Sequence, residues 1–208
     1  MGPRIPNFSF EKKLWNRGLQ RVAGVDEAGR GALAGSLFAS AVVFPPNVRL
    51  KIKPRDSKRL SPKKRIELAG FVKDKAYFWS VSSVGVGFID KFGMAKAGRE
   101  AMKKALEDLS GVPEFVLVDY YKLPFWPKEN QLSIKFGDNT SSSIAAASIL
   151  AKVARDEMMV DLAEKYPQYG FDLHKGYGTA RHREALLEYG PCEIHRKSFI
   201  GSIVTAER

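Results

Sequence analysis

The sequence predicts a mixed α/β protein, and three of its features support that fold class. Short apolar runs typical of buried strands recur along the chain, and segments with helical spacing of apolar residues lie between them. Three of the predicted strands finish in acidic residues, and an open α/β sheet gathers its functional groups at strand ends. A chain of 208 residues is long enough for one sizeable hydrophobic core with a small appendage.

The first predicted elements are a hairpin and a helix. Residues 21–26 form a short apolar run, and residues 35–44 form a longer one that ends before two prolines. The glycine-rich segment between the two runs would turn the hairpin. Ser61 as an N-cap, followed by Pro62 at the first helical position, predicts a helix that extends to about Lys75.

The rest of the chain alternates strands and helices before a tail of different composition. The further predicted elements are strands over 76–86, 114–119 and 131–138 and helices over 88–109 and 140–165. The last of these helices begins with many Ser and Ala residues, so its backbone can approach the sheet closely. The tail, residues 166–208, is rich in Gly, Tyr, His and Arg and predicts a loop with one short helix. We expect this tail to be an extension packed on a main body formed by residues 1–165.

The charge of the chain indicates nucleic acid as a partner. Lys and Arg number 34 against 23 Asp and Glu, which gives a net charge of +11, and the pI is near 9.7. Between positions 50 and 65 there are eight basic residues and one acidic residue, a local net charge of +7. This is the electrostatic footprint of a protein that meets nucleic acid, but a basic protein without that function has the same composition.

The cysteine content and the hydropathy pattern bear on the cellular compartment. Cys192 is the single cysteine, so no disulfide can form within the chain, which fits a reducing compartment. The N-terminal segment lacks the continuous apolar stretch of a signal peptide, and no window approaches the ~20 apolar residues that a membrane helix needs. We expect a cytoplasmic protein with no membrane partner, and a monomer by default.

Four acidic side chains at the ends of predicted strands are candidates for one shared site: Asp26, Glu27, Asp119 and Asp138. Converging carboxylates repel one another, and either protonation or bound divalent cations would relieve that repulsion. Carboxylate oxygens suit Mg²⁺ or Mn²⁺, and two such ions about 3.5–4 Å apart form a clamp for phosphoryl displacement.

The positions of these acids leave alternatives open. Side chains of adjacent residues on a regular strand point to opposite faces, so Asp26 and Glu27 would reach one site if segment 28–31, with its two glycines, breaks the pleat. A lone Asp at a strand end is usually a turn-former or a helix cap. That alternative is strong for Asp138, which precedes a predicted helix, and weaker for Asp119.

Several motifs resemble those of the type 2 ribonuclease H family (ribonuclease HII). They run in order from about Val22 to Phe199, which is nearly the whole chain. The motifs are GVDEAGRG from Gly24, LAGSLFASAVVF from Leu33, DSKRLS from Asp56, IAAASILAKVARD from Ile144, HKGYGT from His174, and then Gly190-Pro191, His195-Arg196 and Ser198-Phe199. The first motif and the Ala-rich helix are highly specific, whereas DSK and GYGT would each be weak alone.

The resemblance implies both a fold and an activity. The fold would be an RNase H-like mixed five-stranded sheet flanked by helices, with a small helical C-terminal extension. The activity would be hydrolysis of the RNA strand of RNA/DNA hybrids and incision 5′ to single ribonucleotides in duplex DNA, leaving 3′-hydroxyl and 5′-phosphate ends. Members of the family use Mg²⁺ or Mn²⁺, with two ions per active site in the substrate complex. The family's catalytic, metal-binding acids map onto Asp26, Glu27, Asp119 and Asp138, with Asp26 between both ions.

The resemblance also implies how a ribonucleotide is told from DNA. Only the 2′-hydroxyl distinguishes the two sugars, and in the family the segment corresponding to Gly29-Arg30-Gly31 contacts it. In the family the tyrosine corresponding to Tyr177 packs on the sugar at the RNA–DNA junction. Apart from the resemblance, Lys58 and the charge around it could bind backbone phosphates, and Ser148 and Lys152, one helical turn apart, could face the DNA strand.

Each of these substrate contacts has a structural alternative. The glycine segment could be a simple hairpin turn, the tyrosine a loop aromatic that covers the core, and each lysine solvated surface. Ser148 could equally face the core. Spacing of the three histidines matches no zinc site, and two-metal chemistry needs no histidine base, so we interpret them as structural.

Some local residues depart from the family pattern. Ala32 and Ser36 stand where bacterial members often carry proline. Asp119 is followed by two tyrosines rather than by a Gly-Asn type of turn, and Phe136 stands where a basic residue is usual before the glycine. These differences leave the four acids in place and concern the substrate contacts of the loops around Asp119 and Asp138.

Two other function classes compete with this interpretation. A different metal nuclease on the same fold, such as an exonuclease or a junction resolvase, would share the acids, but Gly29-Arg30-Gly31 and Tyr177 argue against it. A non-catalytic module that binds hybrids would not need four intact acids. The sequence therefore favours an endonuclease whose partners are RNA/DNA hybrids and ribonucleotide-containing duplex DNA.

Overall fold

A single mixed β-sheet forms the centre of the protein. The computed structural model describes residues 5–50 and 61–204. The strands are β1 (Val22–Ala28), β2 (Leu37–Val43), β3 (Phe78–Val84), β4 (Phe115–Asp119) and β5 (Gln131–Ile134). Their order in the sheet is β3-β2-β1-β4-β5; β2 is antiparallel to both β1 and β3, whereas β4 is parallel to both β1 and β5. The predicted α/β fold with a mixed five-stranded sheet is confirmed.

Helices cover both faces of this sheet. They are α1 (Ser9–Trp15), α2 (Pro62–Lys75), α3 (Val86–Glu107), α4 (Ser142–Lys165), α5 (Phe171–His174), α6 (Ala180–Tyr189) and α7 (Lys197–Val204). The start of α2 is as predicted, since the Ser61 hydroxyl accepts a hydrogen bond of 3.3 Å from the Lys64 amide. Ala41 and Val43 pack with residues of α3, whereas Val42 packs with α2 and α4. Both faces of β2 are therefore buried, which explains its nearly continuous apolar sequence.

The small residues of α4 allow very close packing on β1. A Cβ atom added to Gly24 would lie 2.2 Å from the backbone carbonyl carbon of Ser143 and 2.3 Å from the amide nitrogen of Ile144. Only glycine fits at this position, because the helix backbone occupies the space of a side chain. The predicted approach of the Ser/Ala-rich segment to the sheet is thus confirmed, and it brings the first turns of α4 to the end of β1.

The structure differs from the predicted elements in three places. Helix α1 was not predicted, because seven residues are too few to show a period; it is anchored by the buried Glu11, whose carboxylate accepts from the Ser143 amide at 2.9 Å. Strand β5 ends at Ile134, and Asp138 lies in a 3₁₀ turn, Gly137–Asn139, rather than at a strand end. The described part of the tail, residues 166–204, contains three α-helices instead of one, because α5 and α7 are too short to show a helical period.

Part of the basic window, residues 51–60, lies outside the described residues. Among the residues that the structure describes, every helix is too short or too polar to cross a bilayer.

Three histidines of the tail form a cluster, in which His182 and His195 are buried and have defined tautomers. His182 Nδ1 lies 3.0 Å from the Tyr177 carbonyl oxygen, so this nitrogen carries the proton and donates. His182 Nε2 then accepts from His195 Nε2 at 3.0 Å, and His195 Nδ1 accepts from the Cys192 amide at 3.0 Å. The ring of His174 stacks on that of His182 with a centroid separation of 4.4 Å. Burial lowers the pKa of His182 and of His195 to about 4.

Acidification should destabilise the protein through this histidine pair. The pKa of each imidazole falls from 6.5 to about 4 on folding, so the stabilisation is complete above pH 6.5 and is lost as the pH falls toward 4. We expect urea unfolding to show a loss of about 2 kcal/mol per histidine between pH 7.5 and pH 5. The control is a His182→Asn, His195→Gln variant, which should show a flatter pH dependence. Equal slopes for the parent and this variant would contradict the prediction.

Candidate active site

The four predicted acids lie together near the C-terminal ends of β1 and β4. A cleft of about 500 Å³, called the acidic cleft below, is lined by Glu27, Asp119, Tyr120, Tyr121, Phe136, Asp138 and Asn139. Asp26 lies next to it and is 6% exposed. Burial, followed by the nearby carboxylates of Glu27 and Asp119, raises the pKa of Asp26 well above its usual value. Several carboxyl groups therefore lie close together in this site.

The acidic cleft opens where two strands of the sheet separate. Strand β1 pairs with β2 as far as Ala28, but its pairing with β4 ends at Val25 opposite Val118. Asp26 and Glu27 thus lie beyond the last paired residue on the β4 side. The expected break in the pleat is wrong, because β1 remains a strand through both acids. Their side chains point to opposite faces of the sheet. Both residues lie beside the gap between β1 and β4.

Each member of this adjacent pair has its own partners. The Asp26 carboxylate accepts hydrogen bonds from the Ser148 hydroxyl of α4 and, at 2.7 Å, from the Glu27 amide. Glu27 Oε1 lies 3.4 Å from Arg30 Nη1. The sequence predicted Ser148 as a substrate contact, but it is 5% exposed and supports Asp26. A direct contact between Ser148 and substrate stays a prediction.

The other two acids are held by a shared turn. Asp119 ends β4, and its Oδ1 accepts a 2.7 Å hydrogen bond from the Gly137 amide. This bond ties the end of β4 to the 3₁₀ turn that carries Asp138. Asp138 Oδ1 accepts from the Asn139 side chain at 2.9 Å, while the cap of α4 is Ser141, whose hydroxyl accepts from the Ile144 amide. The alternative that Asp138 caps α4 is therefore wrong.

These carboxylates could hold divalent cations in an open arrangement. Within the described part of the chain, no group of three or more His, Cys, Asp or Glu side chains is placed to hold a metal ion by itself. Mg²⁺ is usually bound by one or two carboxylates and takes its remaining ligands from water and from substrate phosphate. Carboxylates that border an open cleft fit Mg²⁺ or Mn²⁺ bound together with a phosphodiester.

The Gly29-Arg30-Gly31 segment follows β1 directly and is shaped by a buried arginine. Gly29 has a φ of +100°, and an added Cβ would lie 2.1 Å from Arg155 Nε. The missing side chain at Gly29 therefore makes room for Arg155 of α4. This differs from the expectation that the glycine admits a ribose. An added Cβ at Gly31 would have no atom within 4 Å, so that side of the segment is open.

A second buried arginine, Arg196, holds the same segment from the interior. Its guanidinium donates to four backbone carbonyls over distances of 2.8–3.2 Å, those of Gly29, Arg30, Ala32 and Gly35. The N–H and C=O of a trans peptide point in opposite directions, so the amides of Arg30 and Gly31 point away from Arg196. The segment thus offers two consecutive N–H donors on the side opposite the buried guanidinium.

Tyr177 lies against this segment. Its backbone forms an antiparallel bridge with Ala32, and its ring lies near two cations, with Arg155 Cζ at 5.1 Å and Lys152 Nζ at 5.2 Å from the centroid. Lys152 also forms an ion pair of 2.5 Å with Asp156. The structure therefore brings Tyr177, Lys152 and the glycine segment together. Lys58 lies outside the described residues.

The two buried arginines are the residues that sequence reasoning missed. Arg155 and Arg196 are both fully buried, and burial lowers the pKa of each, that of Arg196 to about 10. Both lie inside motifs that carry the family resemblance, which is the signal that could have found them. Arginine is ordinarily exposed, however, and its partners here are backbone carbonyls, which leave no trace in a sequence.

Comparisons with known proteins show the family to which this chain is similar. The family model for ribonuclease HII matches residues 23–202. The chain is 49% identical to a ribonuclease HII from Caldicellulosiruptor bescii over 198 residues, which cover 95% of both proteins. It is 48% identical to one from Chlorobaculum parvum over 194 residues, covering 91% of this chain and 94% of that protein. The crystal structure of ribonuclease H2 from Pyrococcus horikoshii OT3 superposes with a TM-score of 0.75 at 28% identity, covering 89% of this chain and 98% of that one.

Proposed function

This chain belongs to the ribonuclease HII family, whose members are ribonuclease H hydrolases, and we propose that it is an endonuclease for both RNA/DNA hybrids and single ribonucleotides embedded in duplex DNA. It would cut the RNA strand of hybrids and incise 5′ to an embedded ribonucleotide, leaving 3′-hydroxyl and 5′-phosphate ends. One observation carries the proposal. Three carboxylates line a single cleft with that of Asp26 next to it, directly beside a backbone segment that presents consecutive N–H donors.

In this proposal Asp26, Glu27, Asp119 and Asp138 hold two Mg²⁺ or Mn²⁺ ions in the substrate complex. Such ions supply an activated water and stabilise the leaving oxygen of a phosphodiester. The protein's own groups orient the carboxylates. The Ser148 hydroxyl and the Glu27 amide hold the Asp26 carboxylate, and the Gly137 amide holds that of Asp119.

Recognition of the ribonucleotide would use the segment 29–31 and Tyr177. The amides of Arg30 and Gly31 are donors for the 2′-hydroxyl or for an adjacent phosphate oxygen. Tyr177 would pack on the ribose, and Lys152, beside the Tyr177 ring, is placed to meet a backbone phosphate. Because the contacts to phosphate release counterions, binding should weaken steeply as salt rises.

The two parts of the chain would have different tasks. We propose that residues 1–165 form the RNase H-like catalytic domain, which supplies the four acids. Residues 166–208 would form the extension that supplies Tyr177 and the buried guanidinium of Arg196. This division explains how a tail distant in sequence shapes the segment that reads the sugar.

A cleavage assay with three matched duplexes tests the proposed function. One duplex carries a single ribonucleotide, one is all DNA, and one is an RNA/DNA hybrid, each assayed with Mg²⁺ and with Mn²⁺. We expect incision on the 5′ side of the ribonucleotide and multiple cuts in the RNA strand of the hybrid. Cleavage of the all-DNA duplex at a similar rate would instead indicate a general metal nuclease. Binding without cleavage under both metals would indicate a non-catalytic module.

A further inference from the structure

The acidic cleft has aromatic walls. Tyr120, Tyr121 and Phe136 line it together with the carboxylates, and the rings of Tyr120 and Phe136 are strongly exposed, at 56% and 62%. Neither ring belongs to a hydrophobic core cluster of the described residues. Single exposed aromatic side chains are common on protein surfaces. Two of them at the mouth of the cleft that carries the acids call for an explanation.

The backbone at these two positions is strained. Tyr120 has a φ of +63° and Phe136 a φ of +57°, both in the left-handed region that bulky residues rarely adopt. The turns need this conformation, because one lets Tyr120 pair with Ile134 and the other presents the Gly137 amide to Asp119. Glycine or asparagine would supply the same conformation at lower cost. The turns therefore explain the backbone angles but not the aromatic side chains.

Tyr121, by contrast, is explained by its neighbours. The Arg30 guanidinium lies 4.7 Å from the Tyr121 ring centroid and also pairs with Glu27. Tyr121 is thus part of the wall that supports the glycine segment. Tyr120 contacts Tyr121 edge to face at 5.0 Å, so this support fixes one side of its ring. The other exposed ring, Phe136, has Lys135 Nζ at 5.5 Å.

We propose that Tyr120 and Phe136 form an apolar contact surface for a nucleoside next to the phosphate that is cut. The inference rests on the proposed function, because the phosphate must lie on the carboxylates that share this cleft. A nucleoside offers two apolar groups that suit such rings, the face of the sugar and the face of the base. Contact with either is tolerant of sequence, since every nucleotide has both. A cleft of about 500 Å³ has room for a nucleotide rather than for a protein segment.

This apolar surface affects how substrate binding at the site depends on salt concentration. A basic residue at the position of Phe136 would meet a phosphate and release counterions. An aromatic ring binds without releasing ions, so its contribution to affinity should not depend on salt. At high salt, this chain should therefore bind a hybrid more tightly than the Phe136→Lys variant does.

The test uses the full chain and substitutions that keep both turns. Tyr120→Asn and Phe136→Asn are suitable, because asparagine tolerates the left-handed conformation and the fold should not suffer. Phe125→Asn is the matched control, since Phe125 is 38% exposed and does not line the acidic cleft. We expect each cleft variant to raise KM for a hybrid by roughly 5-fold or more, in line with the loss of one stacked nucleotide. The value of kcat should change much less, and thermal stability should be at least that of the parent.

Two further measurements identify the contact. The slope of log KM against log salt should be unchanged in Phe136→Asn and steeper by roughly one unit in Phe136→Lys. A substrate that lacks the base beside the cleavage site distinguishes the two apolar groups. If the base is the contact, the difference in KM between the parent and a variant that carries both Tyr120→Asn and Phe136→Asn disappears with this substrate. If the sugar is the contact, the difference persists.

The results that overturn the proposal are distinct from a failure of the proposed function. A parent enzyme that cuts no hybrid contradicts the proposed function itself. A parent that cuts, with cleft variants whose KM equals that of the parent or of Phe125→Asn, contradicts the nucleoside surface alone. In that case a protein partner would be the remaining use of the exposed rings. A flatter salt slope in Phe136→Asn would also contradict it, because the loss would then be a phosphate contact.

Discussion

Asp119→Asn should abolish cleavage while leaving hybrid binding and folding intact. The asparagine carbonyl can still accept the 2.7 Å hydrogen bond from the Gly137 amide, so the turn that carries Asp138 keeps its shape. The substitution removes one negative charge that raises the pKa of Asp26, so thermal stability should stay the same or increase. We expect the single-turnover cleavage rate to fall by about a thousand-fold, equal to about 4 kcal/mol of transition-state stabilisation.

The control for this experiment is Asp161→Asn, which removes an exposed carboxylate of α4 outside the acidic cleft. It should cut like the parent. Both variants should bind a labelled hybrid within a few-fold of the parent, because most of the affinity comes from contacts to phosphates. If Asp119→Asn cut as fast as Asp161→Asn, the proposed role of Asp119 would be wrong, whatever the metal.

Arg196→Met should have the largest effect on stability of any substitution discussed here. The change leaves up to four buried carbonyls of segment 29–35 without their donor. Each buried acceptor that loses its partner carries a desolvation cost, although small movements will relieve part of it. We expect the free energy of unfolding in urea to fall by roughly 3–5 kcal/mol, the range typical of a broken buried network.

The conservative variant separates positioning from folding. Arg196→Lys keeps the positive charge but cannot reproduce the planar fork, so it should restore part of the stability. In this variant, discrimination between one embedded ribonucleotide and all-DNA duplex should fall more than the rate on an RNA/DNA hybrid. Arg17→Met, an exposed position at the end of α1, is the control for a lost charge. An Arg196→Met variant as stable as Arg17→Met would refute the role of the buried guanidinium.

Much of the local structure could be predicted because it depends on neighbours in sequence. The hairpin, the cap at Ser61 and the close packing of α4 follow from apolar runs, turn residues and small side chains. Short elements were missed, such as α1 and two helices of the tail, because a period needs more residues than they have. The end of β5 was misplaced by four residues, since the turn that terminates it depends on Phe136 adopting a left-handed conformation.

The sequence by itself determined which acids the protein could use, because charge and hydropathy are properties of each residue. Only the tertiary structure decided that the gap between β1 and β4, rather than a broken pleat, lets Asp26 and Glu27 border one cleft. It also decided that Arg155 and Arg196 are buried and that Tyr120 and Phe136 are exposed. The physical reason is that burial depends on partners distant in the chain. Arg196 is stabilised by carbonyls more than 160 positions away, and no local pattern records them.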